Sequence, residues 1–238
     1  MDNQFSRSQL LMGDDAIDKL SKSRVAVFGI GGVGGYVVEA LVRNGLGEID
    51  IIDDDRISLS NINRQIYATH STLDRSKVEV AKERILDINP ECKVNAYQTF
   101  YSPENADIFD FKNYDYIVDA IDTVSGKISL IEKSKEFNVP IICAMGAGNK
   151  MDPTKFEIAD ISKTSVCPLA RIIRTELKKR KITKVKCVYS KEPPLKLEKN
   201  DVEIKNNTVK HKIPGSNSFV PPVVGFIMAS EIIKDLIK

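Results

Sequence analysis

Along the first 150 residues, mostly apolar segments of five or six residues alternate with longer amphipathic stretches. The apolar segments are rich in β-branched residues and are too short for buried helices, so they predict buried strands. The amphipathic stretches repeat apolar residues every three or four positions, as one face of a helix does. We therefore expect strands at Arg24–Phe28, Glu48–Ile52, Cys92–Tyr97, Asp115–Asp119 and Pro140–Ala144.

Helices are predicted around and between these strands. They are expected at Gln4–Leu20, from the glycines after the first strand to Gly45, at Asp74–Ile88, up to about Phe137, and at Val223–Ile237. Strands that alternate with helices form a parallel sheet covered on both faces. The predicted fold is therefore α/β and Rossmann-like, with a mostly parallel sheet. We expect a core at residues 1–150 and a C-terminal extension of the same domain at 151–238, in which the polar Lys191–Ser218 segment forms a long loop or is partly disordered.

A glycine turn follows the first predicted strand. Gly29, Gly31 and Gly34 have the G-x-G-x-x-G spacing, and a helical pattern begins directly after them. Such glycines allow a sharp turn and bring backbone N–H groups at a helix N-terminus close to a phosphate. Asp53 ends the second strand about 20 residues later, where a carboxylate binds a ribose hydroxyl in nucleotide-binding βαβ units. The segment therefore predicts a nucleotide site.

Three residues downstream favour a triphosphate over a nicotinamide cofactor. Arg64 and Lys77 are cations that suit phosphates, and Asp122 follows the strand that ends at Asp119. Ligands bind at this carboxyl edge of a parallel sheet, and Mg²⁺ prefers carboxylate and phosphate oxygens. No Walker A motif occurs in the sequence, so the phosphates would lie along a Rossmann-type edge.

Composition and charge narrow the class of protein. The chain has 238 residues, is 42% hydrophobic and carries a net charge of +2, which is ordinary for a globular protein. Its N-terminus lacks an apolar signal-peptide core, and its longest apolar run is too short to span a membrane, so we expect a cytoplasmic protein. The four cysteines form no C-x-x-C pair, which predicts reduced thiols and no zinc site.

The joint motif pattern resembles a known superfamily. The motifs are GIGGVGG, D-x-D, S-x-x-N-x-x-R-Q, KVE and DAID, and together they resemble the adenylating superfamily of ThiF, MoeB and the ubiquitin-activating enzymes. This resemblance implies ATP and Mg²⁺ as cofactors, and a homodimer in which Arg7 reaches the partner subunit's site. Asp122 would be the Mg²⁺ ligand. The implied nucleotide-binding residues are Gly29, Gly31, Gly32, Gly34, Asp53, Asp55, Asn61, Arg64, Lys77 and Asp122.

The C-terminal part resembles one branch of that superfamily, the tRNA threonylcarbamoyladenosine dehydratases. The resemblance lies in DISKTSVCPLARIIRTELKKRKI and SFVPPVVGFIMASEIIKDL. It implies that a carboxylate of the modified adenosine next to the tRNA anticodon is adenylated by ATP and that ring closure then expels AMP. Arg7, Arg64, Lys77 and Asp122 would stabilise charge during catalysis. The resemblance is also compatible with a bound monovalent cation and with a sulfur-relay protein partner.

A basic segment gives independent support for an RNA partner. Between Lys163 and Lys199 the sequence has 12 Lys or Arg residues and 3 Asp or Glu residues. Arg171, Arg174 and Lys178 recur at helical spacing, so one helix face could bind a phosphate backbone. The alternative is a solvated helix face.

Two other functions stay open at this point. The chain could activate a ubiquitin-like sulfur carrier and use Cys167 as the acyl acceptor, although the C-x-x-C pairs of typical ThiF and MoeB proteins are absent. It could also be a nucleotide-binding regulator without catalysis.

Overall fold

The computed structural model describes residues 3–197 and 214–238. Within this part of the chain, one sheet of seven strands has the order β3-β2-β1-β4-β5-β7-β6. All neighbouring strands are parallel except β6 and β7, which pair antiparallel at one edge. The strands are β1 Arg24–Phe28, β2 Glu48–Ile52, β3 Lys93–Tyr97, β4 Tyr116–Asp119, β5 Ile141–Ala144, β6 Phe156–Asp160 and β7 Lys186–Ser190. The five predicted strands are confirmed, three of them starting one residue later than expected.

Seven α-helices are present in the described ranges. They are α1 Ser6–Met12, α2 Asp14–Lys22, α3 Gly34–Arg43, α4 Lys77–Ile88, α5 Val124–Glu136, α6 Pro168–Lys179 and α7 Val220–Leu236. None of the helices that can be described is both long and apolar enough to traverse a bilayer.

Two apolar clusters cover the two faces of the sheet. Side chains along a strand point alternately to opposite faces, and β1 follows this rule. Val25 and Val27 belong to the cluster that includes α3, α4 and α7. Ala26 and Phe28 belong to the other cluster, which includes α5 and α6. The predicted α/β fold with helices on both faces is therefore confirmed.

Three predicted helix boundaries were wrong. The helix expected at Gln4–Leu20 is two helices, because Gly13 has a φ of +86° and ends α1. The helix expected from Asp74 begins at Lys77, because Asp74 adopts a left-handed conformation with a φ of +61°. The last helix begins at Val220 rather than Val223, with two prolines in its first turn, where a missing N–H costs no hydrogen bond.

The C-terminal extension completes the sheet of the core. β7 lies next to β5, and α7 packs against α3. Residues 1–150 and 151–238 therefore contribute strands to the same sheet. The predicted long loop at Lys191–Ser218 falls largely outside the described residues. The described residues 191–197 and 214–218 contain no helix or strand.

Candidate nucleotide site

A cavity of about 280 Å³ lies at the carboxyl ends of the central strands. Residues of the loops after β1, β2, β3 and β4 line it. In open α/β sheets this crevice is where the strand order reverses and where ligands bind. The cavity brings together eight of the predicted site residues, which are Gly29, Gly31, Asp53, Asp55, Asn61, Arg64, Lys77 and Asp122.

The glycines of the turn are required for two different reasons. Gly29 has a φ of +83°, and a Cβ there would lie 2.8 Å from the carbonyl oxygen of Ala120. A Cβ on Gly34 would lie 1.8 Å from the carbonyl oxygen of Gly29, so neither position accepts a side chain. A Cβ on Gly31 would meet nothing closer than 3.6 Å, and Gly31 lines the cavity. Gly29 and Gly34 therefore shape the turn, and Gly31 leaves its backbone uncovered toward a ligand.

The Asp53 carboxylate joins the glycine turn to the loop after β2. One oxygen, Oδ2, accepts a hydrogen bond from the backbone N–H of Ile30 at 2.9 Å. The other, Oδ1, accepts one from the backbone N–H of Asp55 at 3.0 Å. Burial raises the pKa of Asp53, and the nearby Lys77 ammonium opposes this shift. The carboxylate is thus held at the rim of the cavity in a fixed orientation.

Lys77 is almost fully buried at the start of α4. Its Nζ donates to Asp55 Oδ2 at 2.6 Å and lies 3.3 Å from Asp53 Oδ1. Oxygens of Asp53, Asp54 and Asp55 lie within 4.8 Å of one another, and the Lys77 ammonium offsets part of this acidic group's charge. The loop therefore presents a partly compensated charge cluster to the cavity. Sequence reasoning missed Asp54, which also lines it.

Asn61 and Arg64 belong to the polar loop that closes the cavity on one side. Asn61 Oδ1 accepts a hydrogen bond from the backbone N–H of Ser58 at 3.1 Å. Arg64 Nη1 donates to the carbonyl oxygen of Ser60 at 2.7 Å and to Asn63 Oδ1 at 2.9 Å. Partial burial lowers the pKa of Arg64, whose planar guanidinium suits bidentate contact with phosphate.

Asp122 lies on the opposite wall, in the Ala120–Thr123 loop after β4, and its side chain is exposed to the cavity. An exposed carboxylate that lines a cavity offers the oxygen ligands that Mg²⁺ prefers. The wall after β3, formed by Thr99, Phe100 and Tyr101, was missed from sequence. Its signal was its place after a strand that neighbours β2, since all such strand ends share one edge.

Two of the predicted glycines and Arg7 do not line this cavity. Gly32 lies close to the side chains of Pro221 and Arg64, and Gly34 lies inside the turn. Arg7 lies on α1, where it is exposed. Its predicted role in a partner subunit's site stays a prediction.

A second cavity, of about 420 Å³, opens at the start of α6. Val166, Cys167, Pro168, Arg171 and Arg174 line it. Val166 has a φ of +58°, which is rare for a β-branched residue. Cys167 is only 3% exposed. This cavity therefore combines an apolar rim with two guanidinium groups.

Part of the predicted basic face on α6 is engaged in hydrogen bonds and ion pairs within the chain. Arg174 Nη1 donates to the carbonyl oxygen of Thr164 at 2.9 Å and to Thr164 Oγ1 at 2.6 Å. Lys179 and Arg180 form ion pairs with Glu176 on the same helix. Arg171 and Lys178 are exposed.

Comparison with known proteins identifies the family. The ThiF family model matches residues 5–238. The chain belongs to the ThiF family. A tRNA threonylcarbamoyladenosine dehydratase from Bacillus subtilis is 44% identical over 99% of this chain and 95% of its own length. One from Haemophilus influenzae is 38% identical over 100% of this chain and 94% of its own length.

A solved structure agrees in fold with this family member. The Escherichia coli tRNA threonylcarbamoyladenosine dehydratase in complex with ATP has a TM-score of 0.87 and 33% identity. The match covers 98% of this chain and 93% of that chain. The same enzyme in complex with AMP has a TM-score of 0.88. The predicted superfamily and its α/β architecture are confirmed.

Proposed function

We propose that this protein dehydrates threonylcarbamoyladenosine in tRNA, next to the anticodon, at the expense of ATP. The observation that carries the proposal is the single cavity that collects a glycine turn, two cations and carboxylates on facing walls. It occurs in a chain that aligns over 99% of its length with a dehydratase. A tRNA substrate also makes the cytoplasm the compartment that we propose.

The reaction runs through an acyl-adenylate. The substrate carboxylate attacks the α-phosphorus of ATP, and pyrophosphate leaves. A nitrogen or oxygen of the same modified adenosine then attacks the activated carbonyl carbon, a ring closes, and AMP leaves with the former carboxylate oxygen. The net change in the nucleoside is the loss of one water. No protein nucleophile is needed, so the protein contributes positioning and charge.

The cavity residues divide this work. The glycine turn offers backbone N–H groups to the phosphates, and Asp53 takes the ribose hydroxyl from its fixed position. Arg64 and Lys77 lie in the same cavity and stabilise the charge of the triphosphate and of the departing pyrophosphate. Because Lys77 is already held by Asp55 and Asp53, it needs little reorganisation during the reaction.

Asp122 is the residue that we assign to Mg²⁺. Its exposed carboxylate faces the cavity from the wall opposite the Asp53–Asp55 loop. That loop already holds an ammonium, which leaves Asp122 as the uncompensated oxygen ligand among the predicted site residues. A bound Mg²⁺ would neutralise phosphate charge there and orient the α-phosphate for attack.

We further propose a two-fold dimer that shares its active sites. Helix α1 carries Arg7 together with Leu10 and Leu11, which are 90% and 86% exposed. Two adjacent leucines with this exposure suit burial by a second copy of the chain. Arg7 would then enter the partner's cavity and contact its nucleotide.

The tRNA backbone would contact α6. Arg171 and Lys178 are exposed on this helix, and Arg171 and Arg174 line the second cavity. This cavity lies near the end of β5, the strand next to β4 in the sheet, because a Cβ on Gly146, just after β5, would lie 3.8 Å from Cys167 Sγ. A nucleoside bound from this side could present its carboxylate toward the cavity at β1 and β4.

Activation of a sulfur carrier is the alternative that Cys167 raised. A thiol that is 3% exposed is poorly placed to accept an acyl group from a second protein. We therefore assign no acyl transfer to Cys167. A sulfur-relay protein would be an assisting partner rather than a substrate.

The deciding experiment analyses tRNA nucleosides by mass spectrometry in a strain that lacks the gene. We expect threonylcarbamoyladenosine to accumulate and its dehydrated form to disappear, and the wild-type gene to restore it. The purified protein with ATP, Mg²⁺ and tRNA that carries the modification should release AMP and pyrophosphate. ATP–pyrophosphate exchange that depends on a small protein ending in Gly-Gly would instead indicate carrier activation. ATP binding without product would indicate a regulator.

A further inference from the structure

Lys127 is a fully buried cation that the proposed mechanism does not use. Both Lys127 and Asp119 are 0% exposed. Lys127 Nζ donates to Asp119 Oδ1 at 2.9 Å and to the carbonyl oxygen of Ala144 at 2.7 Å. The ammonium, which comes from the first turn of α5, therefore joins two strands through one charged and one neutral acceptor.

The two acceptors lie at the carboxyl ends of neighbouring strands. Asp119 is the last residue of β4, and Ala144 is the last residue of β5. Directly after Asp119 the chain enters the Ala120–Thr123 loop, which forms one wall of the nucleotide cavity and carries Asp122. The Lys127 ammonium thus lies beneath the base of this loop.

Stability alone does not account for such a pair. Removing two charges from water costs several kcal/mol per ion, and apolar residues of similar volume often hold a fold equally well. Burial raises the pKa of Asp119, and the Lys127 ammonium, the Cys143 thiol and the Ile121 backbone N–H partly oppose this shift. Ile121 belongs to the Ala120–Thr123 loop, so the buried carboxylate interacts with that loop as well as with Lys127.

The loop above the pair is packed tightly on both sides. A Cβ on Gly29 would lie 2.8 Å from the carbonyl oxygen of Ala120, so the glycine turn touches the loop directly. On the other side, a Cβ on Gly126 would lie 2.6 Å from the Ile121 side chain and 2.8 Å from Thr123 Oγ1. With little free space on either flank, the position of the loop depends on the strand end that Lys127 fixes.

We propose that Lys127 and Asp119 are a positioning pair that sets where the Ala120–Thr123 loop holds the Asp122 carboxylate. The pair does not touch the nucleotide and acts only through the loop. The inference rests on the proposed function in one respect, the assignment of Asp122 to Mg²⁺. Its consequence is that removing the Lys127 hydrogen bonds weakens Mg²⁺-dependent binding of ATP more than binding of ATP alone.

The test compares ATP affinity in excess Mg²⁺ and in EDTA by calorimetry, without tRNA. Lys127→Met leaves the buried Asp119 carboxylate unpaired and should lower the melting temperature. Asp119→Asn with Lys127→Met removes both charges and should recover most of that stability. Because the bond to Ala144 is still missing, the double variant should bind ATP with Mg²⁺ about 10- to 100-fold more weakly than the wild type. Its affinity in EDTA should change by less than about threefold.

A matched control lies toward the other end of the sheet. Arg24 binds Asp50, another 0% exposed carboxylate, through two hydrogen bonds of 3.1 Å and 2.9 Å. Arg24→Met with Asp50→Asn should change stability and leave the ratio of the two ATP affinities unchanged. Lys127→Arg, which retains a cation, should recover part of the Mg²⁺-dependent affinity.

Asp122→Ala separates the two proposals. If Asp122→Ala and the Asp119/Lys127 double variant both lose Mg²⁺-dependent affinity, the positioning pair is supported. If Asp122→Ala loses it while the stable double variant retains it, the pair is structural and the inference is overturned. If Asp122→Ala retains it, the magnesium assignment itself fails, and the positioning inference fails with it.

Discussion

The two cavities of this molecule handle positive charge in different ways. In the nucleotide cavity, Lys77 is buried and held by two carboxylates, and Arg64 is held by neighbouring oxygens. In the second cavity, at the start of α6 and here called the α6 cavity, Arg171 is exposed, and Arg174 donates hydrogen bonds to Thr164. Buried charges in a fixed cluster lose little to solvent screening, whereas exposed charges are weakened by salt. The first arrangement suits a small ligand bound in one geometry, and the second suits a polyanion met at the surface.

The largest expected effect tests the nucleotide cavity. Asp122→Ala should lower turnover by at least about 100-fold, because it removes charge stabilisation at the triphosphate. The circular dichroism spectrum should stay that of the wild type, since the side chain is exposed. Turnover is to be measured at saturating Mg²⁺. Unchanged turnover at saturating Mg²⁺ would mean that another residue binds the metal. Asp122 would then not distinguish the two cavities.

The next prediction asks whether the nucleotide cavity is complete within one chain. Arg7→Ala and Asp122→Ala should each be nearly inactive alone. If subunits of the two variants exchange freely, half of the dimers are mixed, and each mixed dimer has one intact site of two. About a quarter of the wild-type sites should then return. Activity that stays at the level of the parents, with exchange shown independently, would mean that Arg7 acts within its own chain.

A smaller effect is expected from substitutions at the α6 cavity. Reversing the charge at Arg171, Arg174 and Lys178 should weaken tRNA binding and flatten its dependence on salt. The salt slope should fall by about 0.7 for each single-strand phosphate that the helix no longer neutralises. ATP affinity should stay at the wild-type value, because these residues lie outside the nucleotide cavity. An unchanged salt slope would show that this helix face is only solvated.

The smallest effect is expected at Cys167. Cys167→Ser should keep most of the dehydratase activity, since ring closure uses atoms of the substrate. Turnover and a thioester assay are the measurements. A decrease of more than about 100-fold, or about 2.7 kcal/mol of barrier, would favour the thioester-forming alternative. It would also mean that the α6 cavity is a reaction site rather than a binding surface.

The nucleotide cavity was more predictable from sequence than the α6 cavity, for a physical reason. A glycine turn and the polar residues after strands are local patterns, and the common edge of a parallel sheet brings them together without further information. The helix break at Gly13 and the φ of Val166 follow from backbone conformations that apolar periodicity does not encode. Strands were expected between the core and Tyr189, but β6 and β7 could not be assigned bounds because their pairing depends on contacts across distant parts of the chain.

Charge pairing was the least predictable feature. Lys77 and Arg64 line the cavity, and their phosphate-binding role stays a prediction, but their hydrogen-bond acceptors could not be inferred from sequence spacing. No motif considered in the sequence analysis includes Lys127, and its burial against Asp119 depends on how α5 packs under β4 and β5. From sequence alone, a lysine in a polar segment is predicted to be exposed to solvent. Its burial becomes evident only when the neighbouring strands are known.

The contact between Gly29 and Ala120 has a consequence for how this site can change by mutation. The glycine turn and the loop that carries Asp122 come from segments about 90 residues apart, yet a Cβ on Gly29 would lie 2.8 Å from the Ala120 carbonyl oxygen. Residues that share a contact show non-additive effects in double-mutant cycles. Substitutions in the two segments should therefore be strongly epistatic. Laboratory evolution toward another nucleotide would have to alter both segments together, since each segment restricts the space open to the other.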